Sequence, residues 1–178
     1  MTTDRDPKVD SGPGEPPDSG DAALVRVVPY RLDEPSHREA FRALNMAWIT
    51  EHFVVEDADR RTLDDPERHV LLPGGAILVA EDVRGEPVGT CALIPVADRV
   101  LELAKMAVAP HARGRGVGRR LGEAAIAHAR ALGAARVELL SNTKLAPAIR
   151  LYRSLGFTEV PLPATEYRRA NIKMVLEL

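Results

Sequence analysis

Residues 106–122 read Met-Ala-Val-Ala-Pro-His-Ala-Arg-Gly-Arg-Gly-Val-Gly-Arg-Arg-Leu-Gly, and they constrain the fold more than any other stretch of the chain. The apolar run from Leu101 to Ala109 has the character of a strand and is stopped by Pro110. Arg113-Gly114-Arg115-Gly116-Val117-Gly118 follows and runs directly into an amphipathic helix. A strand that feeds a glycine-rich turn and then a helix makes a cradle for an anion. Glycine lets the backbone approach the ligand with no Cβ in the way. The unpaired N–H groups of the first helical turn point at it, and the helix dipole favours negative charge there. Arg113, Arg115, Arg119 and Arg120 add cations whose planar forks suit phosphate. The stretch implies an α/β protein with a site for a ligand that carries a pyrophosphate.

The spacing narrows the ligand. A dinucleotide fingerprint places G-x-G-x-x-G early in a βαβ unit, with an acidic residue about 20 positions on. Here the order is Arg-x-x-Gly-x-Gly, and at least three strand candidates precede it. A P-loop needs Lys-Ser or Lys-Thr after its glycines, and neither follows Gly118. A second stretch, Ala148-Ile149-Arg150-Leu151-Tyr152-Arg153-Ser154-Leu155-Gly156-Phe157, lies about 35 residues further on. Arg-x-x-Gly-x-Gly after Val-Ala-Pro, followed by A-x-x-L-Y-x-x-x-G-F, resembles the GNAT superfamily of acyl-CoA-dependent N-acetyltransferases. The resemblance spans roughly residues 22–178.

That resemblance implies a three-layer α/β/α fold with a mixed, largely antiparallel central sheet splayed at the cofactor site. The splay would lie between the strand holding Leu101–Ala109 and the one holding Arg136–Ser141. It implies acetyl-CoA as co-substrate and a pantetheine arm lying in the gap. Met106 and Val108 would offer it backbone groups, and Arg113, Gly114, Gly116, Val117, Gly118 and Arg119 would hold the pyrophosphate. Asn142 is a further cofactor candidate. The chain departs from a common family pattern here, because Leu145 stands where an Asn often precedes the Tyr by seven residues.

Amide formation needs a neutral amine, so a base or water chain must take a proton. Glu102 matches the place of the family's base glutamate, and its bland alternative is a solvated or salt-bridged carboxylate. Strand alternation is expected to put Glu102, Ala104, Met106 and Val108 on one face, opposite Lys105. Tyr152 matches the tyrosine whose hydroxyl lies near the CoA sulfur, as proton donor to the departing thiolate. For the acceptor, the resemblance points to the first helices, the loop between them and the last hairpin. Trp48, His52, Phe53, Tyr167, Arg168, Arg169 and Asn171 fall there, and the arginines suit a carboxylate or phosphate. The acidic run Glu56-Asp57-Asp59 reads as a solvated loop.

The remaining chain is expected to order as follows. Leu24–Tyr30 is a strand, residues 36–51 a helix capped near Ser36, and residues 52–63 a loop. Asp64-Asp65-Pro66-Glu67 starts a helix that stops before Pro73. Strands follow at Ala76–Val83, Val88–Val96 and Arg99–Ala109. A helix runs from Val117 to Leu132, a strand from Ala135 to Ser141, and a helix from Leu145 to Leu155. Phe157–Val160 and Ile172–Leu176 close the sheet. Residues 1–20, rich in Pro, Gly, Ser and Asp, read as a disordered tail before one domain over 21–178.

Composition limits the function. A formal net charge of −2 over 178 residues does not suit a nucleic-acid partner. No apolar run approaches the length of a membrane span, and no basic-then-apolar leader opens the chain, so a cytoplasmic enzyme is expected. The single cysteine, Cys91, excludes an internal disulfide and is expected to pack in a strand. No histidines have metal-ligand spacing, so no metal is expected. The leading function is acetyl transfer from acetyl-CoA to a primary amine of a small molecule, by direct attack in a ternary complex. A protein lysine or N-terminal acetyltransferase and a non-catalytic acyl-CoA sensor stand as alternatives, with a nucleotide-binding module behind them. A homodimer is expected by analogy only.

Overall fold

The structure is a computed structural model and describes residues 25–178. The expected tail over residues 1–20, and Leu24 at the expected start of the first strand, lie outside the described residues. Seven strands form one open sheet in the order β1-β2-β3-β4-β5-β7-β6. They are β1 (Arg26–Pro29), β2 (Ala76–Glu81), β3 (Pro87–Ala97), β4 (Val100–Val108), β5 (Arg136–Ser141), β6 (Thr158–Val160) and β7 (Ile172–Glu177). Every neighbouring pair is antiparallel except β4 and β5, which run parallel. The sheet is therefore mixed and largely antiparallel, as expected.

Helices cover both faces. On one side, α3 (Val117–Ala131) and α4 (Ala146–Ser154) pack over a core that includes Cys91, Leu93, Leu103, Leu121, Val137 and Phe157. On the other, α1 (Pro35–His52) and α2 (Asp57–Asp64) close a smaller core of Phe41, Ile49, Leu63, Val70, Ile77 and Ala92. Each of the Leu, Ile, Val and Phe side chains among them contributes roughly 1.5–3 kcal/mol through burial. The buried stripe of α1 is His37, Phe41, Asn45 and Ile49, a spacing of four that keeps one face inward. Two of the four are polar, and both are hydrogen-bonded. His37 Nε2 lies 2.9 Å from Glu81 Oε1, and Asn45 Nδ2 donates to Phe41 O and Thr90 Oγ1.

Three expectations about the first helical layer are corrected. Residues 52–63 are not all loop, because α2 forms over Asp57–Asp64. It opens on a capping box in which the side chains of Glu56 and Asp59 accept from each other's backbone N–H, the Glu56 N–H reaching Asp59 Oδ2 at 3.0 Å. The helix expected from Asp64-Asp65-Pro66 is one π-helical turn over Glu67–Leu71. Ser36 does not cap α1; Glu34 precedes the helix, with Pro35 as its first residue, and the Ser36 hydroxyl donates to the Glu34 carboxylate.

The sheet splays where it was expected to. β4 and β5 pair only at Val100–Arg136, Leu101–Val137 and Glu102–Glu138. Beyond Glu102 they separate, while β5 stays paired to β7 as far as Ser141 and Ile172. A bulge in β4 lies just past that point. Thr90 and Ala92 of β3 face Ala107 and Ala104, so β4 takes three steps where β3 takes two. Lys105 adopts φ 51°, a left-handed conformation uncommon for a residue with a Cβ.

The bulge overturns the expected alternation. Glu102 and Ala104 oppose Ile94 and Ala92 and share their side of the sheet with α1. Met106 and Val108 pack on the other side, against the α3–α4 core. Lys105 does not stand opposite Glu102 either, since its side chain reaches Asp59 of α2. One extra residue in the ladder resets the period of two.

Candidate active site

A cavity of about 250 Å³ passes through the sheet at the splay. Its wall on the α3–α4 side includes Met106, Val108, Gly118, Ala148, Leu151 and Tyr152. Its wall on the α1–α2 side includes Asn45, Trp48, Phe53, Glu102, Lys105, Tyr167 and Arg169. Eleven of the site candidates singled out from the sequence thus line one space: Trp48, Phe53, Glu102, Met106, Val108, Arg113, Gly118, Asn142, Tyr152, Tyr167 and Arg169.

The peptide groups of Met106 and Val108 face the gap. Ala109 N–H donates to Val88 O of β3, so by alternation Ala107 also faces β3, while residues 106 and 108 turn the other way. Arg113 Nε donates to Val108 O at 3.1 Å, and its two terminal nitrogens grip the Glu51 carboxylate of α1 at 3.1 and 2.9 Å. Arg113 therefore ties the end of β4 to the end of α1 at the rim of the cavity.

Of the glycine-rich turn, Arg113 and Gly118 line the cavity and the residues between them do not. Gly114 and Gly116 have φ of 75° and 77°, and nothing stands within 4 Å of where a Cβ would sit on either. Backbone freedom, rather than crowding, is what requires glycine there. Gly116 precedes α3, so the N–H groups of Val117, Gly118 and Arg119 have no partner within the helix. The Val117 side chain is buried in the core, so only its backbone serves the turn. Arg119 reaches across to Ser154 Oγ at 2.8 Å and to Glu123.

Tyr152 stands on α4 with its hydroxyl 3.9 Å from Met106 Sδ and its ring edge-on to Phe157. Burial pushes its phenol up to about 12, so it holds its proton at neutral pH. Cys91 is fully buried and its thiol is likewise pushed up to about 12 by burial. It packs in β3 as expected. Glu102 faces the cavity from the α1 side, and no described residue hydrogen-bonds its carboxylate. Burial raises its carboxyl above the ordinary glutamate value, an effect that the neighbouring Lys105 cation partly offsets.

Asn142 is held at both ends: its Nδ2 donates to Arg169 O at 2.6 Å and its Oδ1 accepts from Lys144 N–H. Arg168 does not reach the main cavity; its N–H donates to Glu56, and it lines a neighbouring surface pocket. Trp48 stacks on His52, with ring centroids 5.1 Å apart.

Sequence reading missed the polar group beneath Tyr167. Asp59 is fully buried. It accepts from Lys105 Nζ at 2.7 Å and from both terminal nitrogens of Arg169 at 2.6 and 2.7 Å. Burial would raise its carboxyl, yet Arg169 and Lys105 more than compensate and hold it at about 2. Lys105 Nζ also donates to Tyr167 OH at 3.0 Å, and Arg169 lies over the Tyr167 ring. The expectation of a solvated acidic loop at Glu56-Asp57-Asp59 is thus corrected: Asp59 joins α2, the β4 bulge and the segment before β7. The one local signal was the Glu56–Asp59 spacing of a capping box; its partners are 46 and 110 positions away. Asn45 was also missed. It is 2% exposed and lines the cavity, and with both amide hydrogens bonded its Oδ1 has no described partner.

Known proteins share this fold. The family model for an acetyltransferase (GNAT) domain matches residues 73–159. An uncharacterized N-acetyltransferase of Schizosaccharomyces pombe is 30% identical over 149 residues, covering 78% of this chain and 90% of its own length. A GNAT-family acetyltransferase structure from Staphylococcus aureus superposes with a TM-score of 0.76 at 21% identity, covering 86% of this chain and 98% of that one. An acetyltransferase from Salmonella typhimurium, solved with its cofactor acetyl-CoA, superposes with a TM-score of 0.64 at 22% identity, covering 86% and 94%.

Proposed function

The chain belongs to the GNAT family of N-acetyltransferases, and on that premise we propose that it moves an acetyl group from acetyl-CoA to a primary amine of a small molecule. The observation that carries this reading is the cavity through the splayed sheet, with Tyr152 on one wall and Glu102 on the other. The outward peptide groups of Met106 and Val108 suit an extended amide-bearing arm, and the Gly114–Arg119 turn suits its pyrophosphate. On this reading Arg113, Arg119 and Asn142 act from the rim, through the contacts that already order it. Trp48, Phe53 and Tyr167 bound the acceptor side, with Arg168 further out.

The chemistry divides between the two walls. Glu102 takes the proton that the acceptor ammonium must lose, directly or through water, and its burial favours that uptake. The freed nitrogen attacks the thioester carbonyl carbon; the C–N bond forms and the C–S bond breaks. The Met106 N–H lies along the gap, where it can polarise the carbonyl oxygen. The Tyr152 hydroxyl, protonated at neutral pH, donates to the departing thiolate, and the second proton, which the nitrogen sheds as it becomes an amide, restores the phenol, directly or through water. The buried, protonated Cys91 thiol is a poor nucleophile, which favours direct attack over an acyl-enzyme. Release of free thiol from acetyl-CoA, followed across a panel of small amines, tests this. Wild-type protein releases thiol with at least one amine, and Tyr152→Phe slows release about tenfold or more with acetyl-CoA affinity held. Release equal in the variant contradicts the donor role, and amine-independent or absent release contradicts the function.

A further inference from the structure

We infer that the acceptor carries a carboxylate beside its amine, seated on Lys105 and Tyr167; this rests on the acetyl-transfer reading above. The acceptor wall of the cavity is polarised. Its hydrogen-bond acceptors include Glu102 and Asn45, and its donors include Lys105 and Tyr167. Asn45 turns its carbonyl oxygen inward because both hydrogens of its amide are committed to Phe41 O and Thr90 Oγ1. An amine offers donors to such a pair; an anion does not.

The donor end is built to take an anion. A lysine ammonium has three hydrogens, and Lys105 uses two of them, on Asp59 Oδ1 and on the Tyr167 oxygen. Tyr167 accepts from Lys105, so its own hydroxyl hydrogen is left to donate. One N–H and one O–H thus stand side by side, matching the two oxygens of a carboxylate. Arg169 serves mainly as backing: three of its four terminal N–H groups are committed to Asp59 and Glu56, and its plane lies over Tyr167. Asp59 anchors both cations from behind and is itself closed off from the cavity. The Lys105 ammonium is therefore held in place before a ligand arrives, which lowers the ordering cost of binding. The left-handed backbone at Lys105 is what brings this side chain to the acceptor wall. A phosphate, with more oxygens and more charge, would crowd anionic oxygens against Glu102 with too few donors to match.

Matched acceptors test the inference. Thiol release is measured for leucine, leucinamide and 3-methylbutylamine, and for phenylalanine, phenylalaninamide and 2-phenylethylamine, with phosphoethanolamine as the phosphate arm. In at least one set the free carboxylate exceeds its amide and its decarboxylated amine by tenfold or more in kcat/KM. Lys105→Met removes the charge while Asp59 keeps its bonds from Arg169, and it brings that ratio close to one with acetyl-CoA affinity unchanged. If Lys105→Met does not fold, Tyr167→Phe lowers the ratio several-fold. Equal or better turnover of the uncharged partners, preference for the phosphate, a ratio that survives both substitutions, or no carboxylate turned over by protein that binds acetyl-CoA would each overturn the inference. Failure to bind acetyl-CoA at all would overturn the underlying function instead.

Discussion

At Glu102 two forces oppose each other. Burial favours the neutral acid, and the Lys105 ammonium favours the carboxylate; burial is the larger, so the group takes up a proton at higher pH than an exposed glutamate. A base must be unprotonated to act, so kcat/KM falls as pH drops through the raised value. The acid limb of the pH profile therefore lies above the 4.5 of an ordinary glutamate, and Glu102→Gln removes that limb along with a roughly 10²-fold share of the rate. An unchanged limb in the variant assigns it to another group. The glutamate itself was legible in the sequence from its place ahead of the glycine-rich turn. Its surroundings were not, because the alternation that would have put Met106 beside it is broken by the bulge at Lys105. No residue type marks a bulge when the left-handed position is held by a lysine rather than a glycine.

Among the elements, α2 shows most clearly what sequence reading missed and why. Asp57-Ala58-Asp59-Arg60-Arg61-Thr62-Leu63-Asp64 is so polar that only Ala58 and Leu63 ask for burial, too few to announce a helical period. Its inward face is stabilised by ion pairs to Lys105 and Arg169, residues distant in the chain. By contrast, α3, α4 and the central strands announce themselves through apolar periodicity, and they fall within a residue or two of expectation. The Asp59 carboxyl is held at about 2, below the 3.8 of a free aspartate. The stabilisation this represents, roughly 2 kcal/mol, is present above about pH 4 and is lost as pH falls through about 2. Asp59→Asn should lower the melting temperature at pH 7 by roughly 5 °C or more and flatten its fall between about pH 4 and pH 2. A variant that melts with the wild type at pH 7 would show that the ion pairs do not bind α2 to the sheet.

At the scale of the whole molecule, one topological event creates the site. A sheet that is antiparallel elsewhere takes one parallel neighbour, β5 beside β4, and holds it for only three residue pairs. The bulge follows, and the opened gap leaves a cavity between two helical layers, with Glu102 on one wall and Tyr152 on the other. Among the described residues, no helix is long and apolar enough to cross a membrane. The glycine-rich turn sits at the end of the widening strand, where its backbone N–H groups face outward from α3. Isothermal titration of the purified protein with acetyl-CoA, alongside ATP and NAD and repeated with Gly116→Val, tests this arrangement most directly. The account predicts selective binding of acetyl-CoA, weakened tenfold or more by a side chain forced into a left-handed turn, with the melting temperature much less affected. Binding of ATP or NAD in preference to acetyl-CoA, or affinity untouched by Gly116→Val, would contradict it.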